Sequence, residues 1–369
     1  AGDMRRPVAE RKRNGYTMGT RDSVALFTAV IANGAAVALM MRLLVIYRQY
    51  YGRKRTEGRY YLYFIRSVIG MAVIDLARWL LSPYRENFTF DGLKGMAPSE
   101  TALLVVCSTL DFLNLFMSTL FFFLWLLYVG YRLYPTKDYV KRRFLRAVSP
   151  LFLSGAAVVV CIIATLFAPD RGYVTVWALF VFLAIRMFYF IHSVLRINLY
   201  KKQNGYMKFF NIRGFFLPVI AGMLIQDFSS FHVCALGAAI GATLLYASIV
   251  REKYYQDAET GLYNLHYREY LTKLIRLGRY APCSALVFKT GEGVDITGLA
   301  GMIKQQLPKD SEPIRHGDNE VVVLTQVKEK APLTMVAEDV KAMTEAEVET
   351  SCILKKKDET PEAFMERIL

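Results

Sequence analysis

Seven apolar stretches, separated by short polar segments, fill the first two thirds of the chain. They run near 23–47, 60–82, 101–130, 148–168, 173–196, 209–226 and 231–250. Each is close to the roughly 20 residues that a helix needs to cross the hydrocarbon of a bilayer. The sixth, FFNIRGFFLPVIAGMLI, carries Arg213 and Pro218 and is predicted to be short or kinked. After about residue 251 the runs shorten and alternate. The pattern predicts that Tyr254 onward continues as a helix to a break at Thr260-Gly261. A helix over 264–278 follows, with Tyr267, Tyr270, Leu271 and Leu274 on one face. Next come a strand over 284–290, a helix over 297–307, a hairpin over 312–327, a helix over 333–343 and a strand over 349–356. A last helix begins after Thr360, its predicted N-cap.

These elements predict a tail (1–22), a seven-helix membrane bundle (23–250), a short connecting helix (251–256) and a small α/β domain (257–369). Composition agrees: the 369 residues are 54% hydrophobic, and their mean hydropathy is +0.26. The net charge of +14 changes the picture only through its distribution. The loops after the first, third and fifth stretches hold four, six and five Lys or Arg. Those after the second and fourth hold only Arg85, Lys94 and Arg171, and the one after the sixth holds none. Basic loops stay in the cytoplasm, which predicts an outside N-terminus and a cytoplasmic C-terminal domain. The basic segment RRPVAERKR near the N-terminus disagrees and is outvoted. Charge spread over membrane loops excludes a nucleic-acid face and predicts contact with the lipid bilayer. Asn87-Phe88-Thr89 fits a glycosylation acceptor in an outside loop. Five cysteines without paired spacing imply neither a disulfide framework nor a metal site.

Ionisable residues inside membrane helices are expensive, and each is a candidate site. Asp75 and Arg78 are three apart on the second stretch, as are Asp111 and Asn114 on the third. Arg186 falls near the middle of the fifth, at a depth similar to that of Asp111, so those two are expected to be able to pair. Two readings stay open: a structural polar clamp, and a site for a small ligand reached from outside. A solute path is a third. The seventh stretch has no Lys for a retinal Schiff base.

Two stretches of the C-terminal domain resemble motifs of the GGDEF family, the diguanylate cyclases. DAETGLYNL (257–265) is similar to the family's entry motif D-x-L-T-G-L-x-N-R at Asp257, Thr260, Gly261, Leu262 and Asn264. RHGDNEV (315–321) is similar to the signature R-x-G-G-D-E-F at Arg315, Gly317 and Glu320. The resemblance covers roughly 255–369 and implies a truncated, degenerate domain of that fold on a bacterial inner-membrane protein. In the family, metal ligands come from an Asp ending the first strand and an acidic residue in the hairpin. Here those places hold Lys289 and Thr290, and Asn319; Asp318 replaces the second Gly. The segment between first strand and hairpin is also too short for the family's guanine-binding residues. The resemblance therefore implies no catalysis, no metal and no cofactor. It points to a receptor whose output domain acts on a cytoplasmic protein partner or on a second copy of itself. An active, divergent cyclase and a transporter or channel with a regulatory domain are the alternatives.

Overall fold

The computed structural model describes residues 20–51, 56–81, 98–133, 137–167, 171–204, 209, 212–228, 231–291, 295–308, 311–344 and 347–369. Arg85, Lys94, the Asn87 tripeptide and the basic segment of the tail lie outside the described residues. The chain divides into two compact units. One comprises Ala1–Asn198 and Asn211–Leu245, the other Leu199–Phe210 and Tyr246–Leu369.

The first unit is built from α1 (Thr20–Tyr51), α2 (Thr56–Leu80), α3 (Pro98–Leu133), α4 (Lys137–Phe167), α5 (Arg171–Asn204), α6 (Ile212–Phe228) and α7 (Cys234–Tyr254). Among the described residues, six of these helices are long and apolar enough to cross a membrane: α1 to α5 and α7. The protein is membrane-embedded on that ground. The remaining expected span, 209–226, is a shorter apolar helix of 17 residues with Pro218 inside it. Phe209 is not part of it, because its φ of 60° is incompatible with a right-handed helix. The short α6 lies almost backbone to backbone against α7. A Cβ added to Gly241 would stand 2.8 Å from the carbonyl oxygen of Phe215, and one on Gly222 3.0 Å from that of Val233. Small residues permit this approach where no hydrophobic drive separates helix from lipid.

α3 is the best-covered helix. Its run Phe121 to Trp125 is buried without interruption, so this aromatic stretch faces protein. Trp125 stacks on Phe215 of α6 at 3.8 Å, and its Nε1 donates to Ser193 Oγ of α5 at 3.2 Å. Phe121 lies 4.5 Å from Phe64 of α2. The outer faces are apolar too: Phe152 and Phe167 of α4 and Leu217 of α6 are each at least 75% exposed. An apolar exterior of this kind suits hydrocarbon as solvent.

In the second unit the chain continues with α8 (Tyr267–Arg276), β1 (Ser284–Thr290), α9 (Ile296–Gln306), β2 (Glu312–Arg315), β3 (Glu320–Thr325), α10 (Lys330–Met343), β4 (Val348–Leu354) and α11 (Pro361–Ile368). The sheet order is β2-β3-β1-β4, antiparallel throughout. From β1 to β4 the order is β-α-β-β-α-β, with each crossover skipping one strand position. Alternation of side chains divides the core in two. Leu286, Phe288, Val321 and Val323 pack with Leu299 and Ile303 of α9 and Leu333 and Val340 of α10. Ala285, Val287, Val322 and Leu324 pack with Tyr267 and Leu271 of α8 and Phe364 of α11. Central strands covered on both faces need near-continuous apolar sequence, which is why SALVF and EVVVL show no polar alternation. Thr360 caps α11 as expected, accepting from Ala363 N at 3.2 Å.

One sequence expectation fails at the junction. The helix does not continue to Thr260; α7 ends at Tyr254. Asn264 ends it, donating from Nδ2 to the Tyr254 carbonyl at 2.8 Å and from its backbone N–H to that of Tyr255 at 2.8 Å. Gln256 then pairs with Tyr263 as an isolated bridge. The entry segment is a tight turn.

Candidate functional site

The membrane unit gathers its polar side chains around Asp75 of α2, which is 2% exposed. Asn33 of α1 donates from Nδ2 to Oδ2 at 2.9 Å, and Asn114 of α3 from Nδ2 to Oδ1 at 3.3 Å. Gln226 of α6 reaches Oδ1 at 3.5 Å, and His232, just before α7, lies 3.0 and 3.2 Å from the two oxygens. Four side chains from separate parts of the bundle thus surround one carboxylate. Arg78 stands one helical turn away, with Nη1 3.7 Å from Asp75. Its Nε donates to Asp111 of α3 at 2.6 Å.

The sequence predicted five of these residues: Asp75, Arg78, Asp111, Asn114 and Arg186. The structure joins the first four directly and sets Arg186 on the wall of the same pocket. Asp111 pairs with Arg78 across α2 and α3. Arg186 is 2% exposed and donates from Nε to the Phe182 carbonyl at 3.3 Å. The pocket is small: its room for water-sized centres is about 20 Å³, inside about 330 Å³ of empty space that includes the open mouth, and its walls come from α2, α3, α5, α6 and α7. Met71, Leu115 and Ala235 supply apolar wall between the polar groups. Asn33, Gln226 and His232 escaped the sequence reading. Charge inside an apolar stretch is the signal that singled out Arg186; Asn33 and Gln226 are neutral amides, and His232 sits at the rim of its stretch. Gln226 also caps the start of α7, its Oε1 accepting from Cys234 N at 2.9 Å.

The second candidate is the hairpin β2–β3 with the entry turn. Asp257 Oδ2 accepts from Thr260 N at 2.8 Å, Thr260 Oγ1 at 2.7 Å and Arg315 Nη1 at 3.1 Å. Arg315 also bonds Glu259 at 2.6 Å and its own hairpin at the Gly317 carbonyl, 3.2 Å. Burial favours the neutral acid, but the Thr260 and Arg315 bonds outweigh it and hold the Asp257 carboxyl below its ordinary value. Lys304 of α9 donates to the Thr260 and Gly261 carbonyls at 3.1 and 2.8 Å. Gly261 takes φ of +63°, the left-handed conformation the turn requires. The expected entry residues Asp257, Thr260, Gly261, Leu262 and Asn264 thus form one structural knot, with Leu262 buried in the core. Asp295, another acid near this region, caps α9 by accepting from Thr297 N at 2.9 Å.

The end of β1 and the hairpin tip lie side by side, as a two-carboxylate metal site would need. Lys289 pairs with Glu320 across the strands, and Thr290 N donates to the Asn319 carbonyl at 2.9 Å. The side chains do not suit a metal. Lys289 Nζ stands 3.6 Å from Glu320 Oε1, and His316 Nδ1 lies 3.2 Å from Glu320 Oε2. Asn319 is neutral, a poor ligand for Mg²⁺. Asp318 is fully exposed, 3.7 Å from Arg315. Among the described residues no group of three or more His, Cys, Asp or Glu is placed to hold a metal ion.

No protein-family model matches this chain, and no curated protein matches it either. The resemblance to GGDEF domains therefore rests on the motif residues alone.

Proposed function

We propose that this protein is a bacterial membrane receptor. A bundle of seven helices, with α6 as its short member, takes a small ligand and passes the signal to a GGDEF-like domain without catalytic activity. The observation that carries the reading is the pocket on which five helices converge, walled by Asp75, Asn114, Arg186 and Gln226. Charged side chains in lipid-embedded helices are costly to keep, and a pocket between movable helices puts that cost to use. A ligand shifts such a bundle only by binding one arrangement better than the other. α7 leads from the pocket wall at Cys234 to the entry turn at Tyr255, so its displacement reaches the C-terminal domain through the chain itself.

Three features support an output without reaction. Joining two nucleotides requires metal ions over the triphosphate. Here a lysine faces Glu320 where that reading would place a cation, and Asn319 offers no charge. Arg315 is engaged with Asp257 and Glu259. The domain then acts by contact, with a cytoplasmic protein or a second copy as partner, the N-terminus lying outside. The pocket is tested by Arg186→Gln and Asn114→Ala variants in lipid nanodiscs, screened for small molecules that raise the melting temperature. A compound that stabilises the parent chain and neither variant supports the reading. Equal stabilisation of all three, or none by any compound, counts against it. A transporter reading has no comparable support, because among the described residues the polar network around the pocket converges on Asp75.

A further inference from the structure

Among the described residues, Phe209 is the one non-glycine residue with positive φ, at 60°. Bulky side chains rarely adopt this conformation. The ring position explains why it is held. Phe209 lies 5.0 Å from Tyr270 and 5.4 Å from Tyr255, stacked on the latter at 28°. Tyr267 and Tyr263 stand behind at 6.2 and 6.5 Å, themselves stacked at 3.8 Å. Phe209 sits in the connection between α5 and α6. The tyrosines come from elsewhere: Tyr255 is the first residue after α7, Tyr263 bridges to Ile314 of β2, and Tyr267 and Tyr270 are on α8. Phe209 packs against the core that holds Tyr267, Leu271, Ile314 and Phe364.

We infer that the four tyrosines form a docking surface whose occupant is Phe209 of the same chain. The C-terminal unit, which includes Leu199–Phe210, is then held by two strands of the chain, through α7 and through the α5–α6 connection. Both attachments start from helices that wall the pocket: α5 at Arg186 and α6 at Gln226 on one side, α7 at Cys234 on the other. A shift of α7, α5 or α6 then has two routes along the chain to α8, one through Tyr255 and one through Phe209. That signalling role rests on the receptor reading above; the docking itself does not.

Hydrogen exchange of the full chain in nanodiscs tests both. In Phe209→Ala, amides of 263–276 are expected to exchange faster, on the order of tenfold or more, because two close aromatic pairs are lost. Those of β1 and β3 stay as they were, and Phe209→Tyr restores protection. Unchanged protection over 263–276 overturns the docking, as does equal acceleration throughout β1 and β3, which marks an ordinary core residue. Asp75→Asn then serves as a probe of the pocket. It is expected to alter exchange in α8 with Phe209 present and not in the Phe209→Ala background. If Asp75→Asn leaves α8 untouched while Phe209→Ala loosens it, the docking stands and the signalling role falls.

Discussion

Both units centre a carboxylate among donors, yet the two arrangements have opposite surroundings. Asp75 is buried among neutral amides and a histidine inside a bundle with an apolar exterior. Asp257 shares Arg315 with the exposed Glu259 at a surface turn, where it is itself partly covered, above a core that is apolar within. In the first setting each unpaired group is expensive, so the polar network is the interior's main constraint. In the second, water replaces any lost partner at little cost. Similar chemistry therefore makes a buried polar centre in one unit and a surface tie in the other.

Mutations separate the two. Asp75→Ala removes the acceptor shared by Asn33, Asn114, Gln226 and His232, and breaking such a buried network costs about 3–5 kcal/mol. Thermal unfolding in nanodiscs reads it; a loss no larger than that from Arg315→Gln would erase the contrast. Inside the second unit the same rule applies to Glu312, the one deeply buried acid among its described residues. Tyr267 donates to Glu312 Oε2 at 3.0 Å, both residues being buried. Tyr267→Phe removes that donor at an expected cost of about 1–3 kcal/mol, measured by urea unfolding. Arg315→Gln, at the exposed turn, is expected to cost about 1 kcal/mol or less.

Acid sharpens the comparison further. The Asp257 carboxyl is held below its ordinary value, so the stabilisation it gives is complete above that value, about pH 4. It is lost as pH falls through the lowered value. Stability of the C-terminal unit should thus decline below about pH 4, and less steeply in Arg315→Gln, where the depression is relieved. The smallest expected effect is that of Asn319→Asp, which adds one carboxylate beside Lys289 and should leave the protein without nucleotide turnover.

Much of this was legible in the chain. Long apolar stretches announce α1 to α5 and α7 because hydrocarbon tolerates no other pattern. β1 spans the expected 284–290 because a two-faced central strand needs SALVF. Asp75, Arg78, Asp111 and Arg186 were visible because charge inside lipid is rare, and Asn114 because it stands three residues from Asp111 on the same helix face. Asn33 and Gln226 were not: a neutral amide in an apolar stretch gives a weak signal, and only the fold reveals that both point at Asp75. The early end of α7 was hidden for a related reason. Asn264, ten residues on, takes the last helical carbonyl, and helix propensity is blind to so distant a partner. Phe209 read as the first residue of an apolar span, since periodicity cannot distinguish a ring facing lipid from one facing four tyrosines.

The central claim, that the C-terminal unit signals without a reaction, is tested most directly by incubating the purified full-length protein with GTP and Mg²⁺. The account predicts no cyclic di-GMP above a protein-free blank. Its formation in proportion to protein, and its loss in Glu320→Gln, would contradict the account.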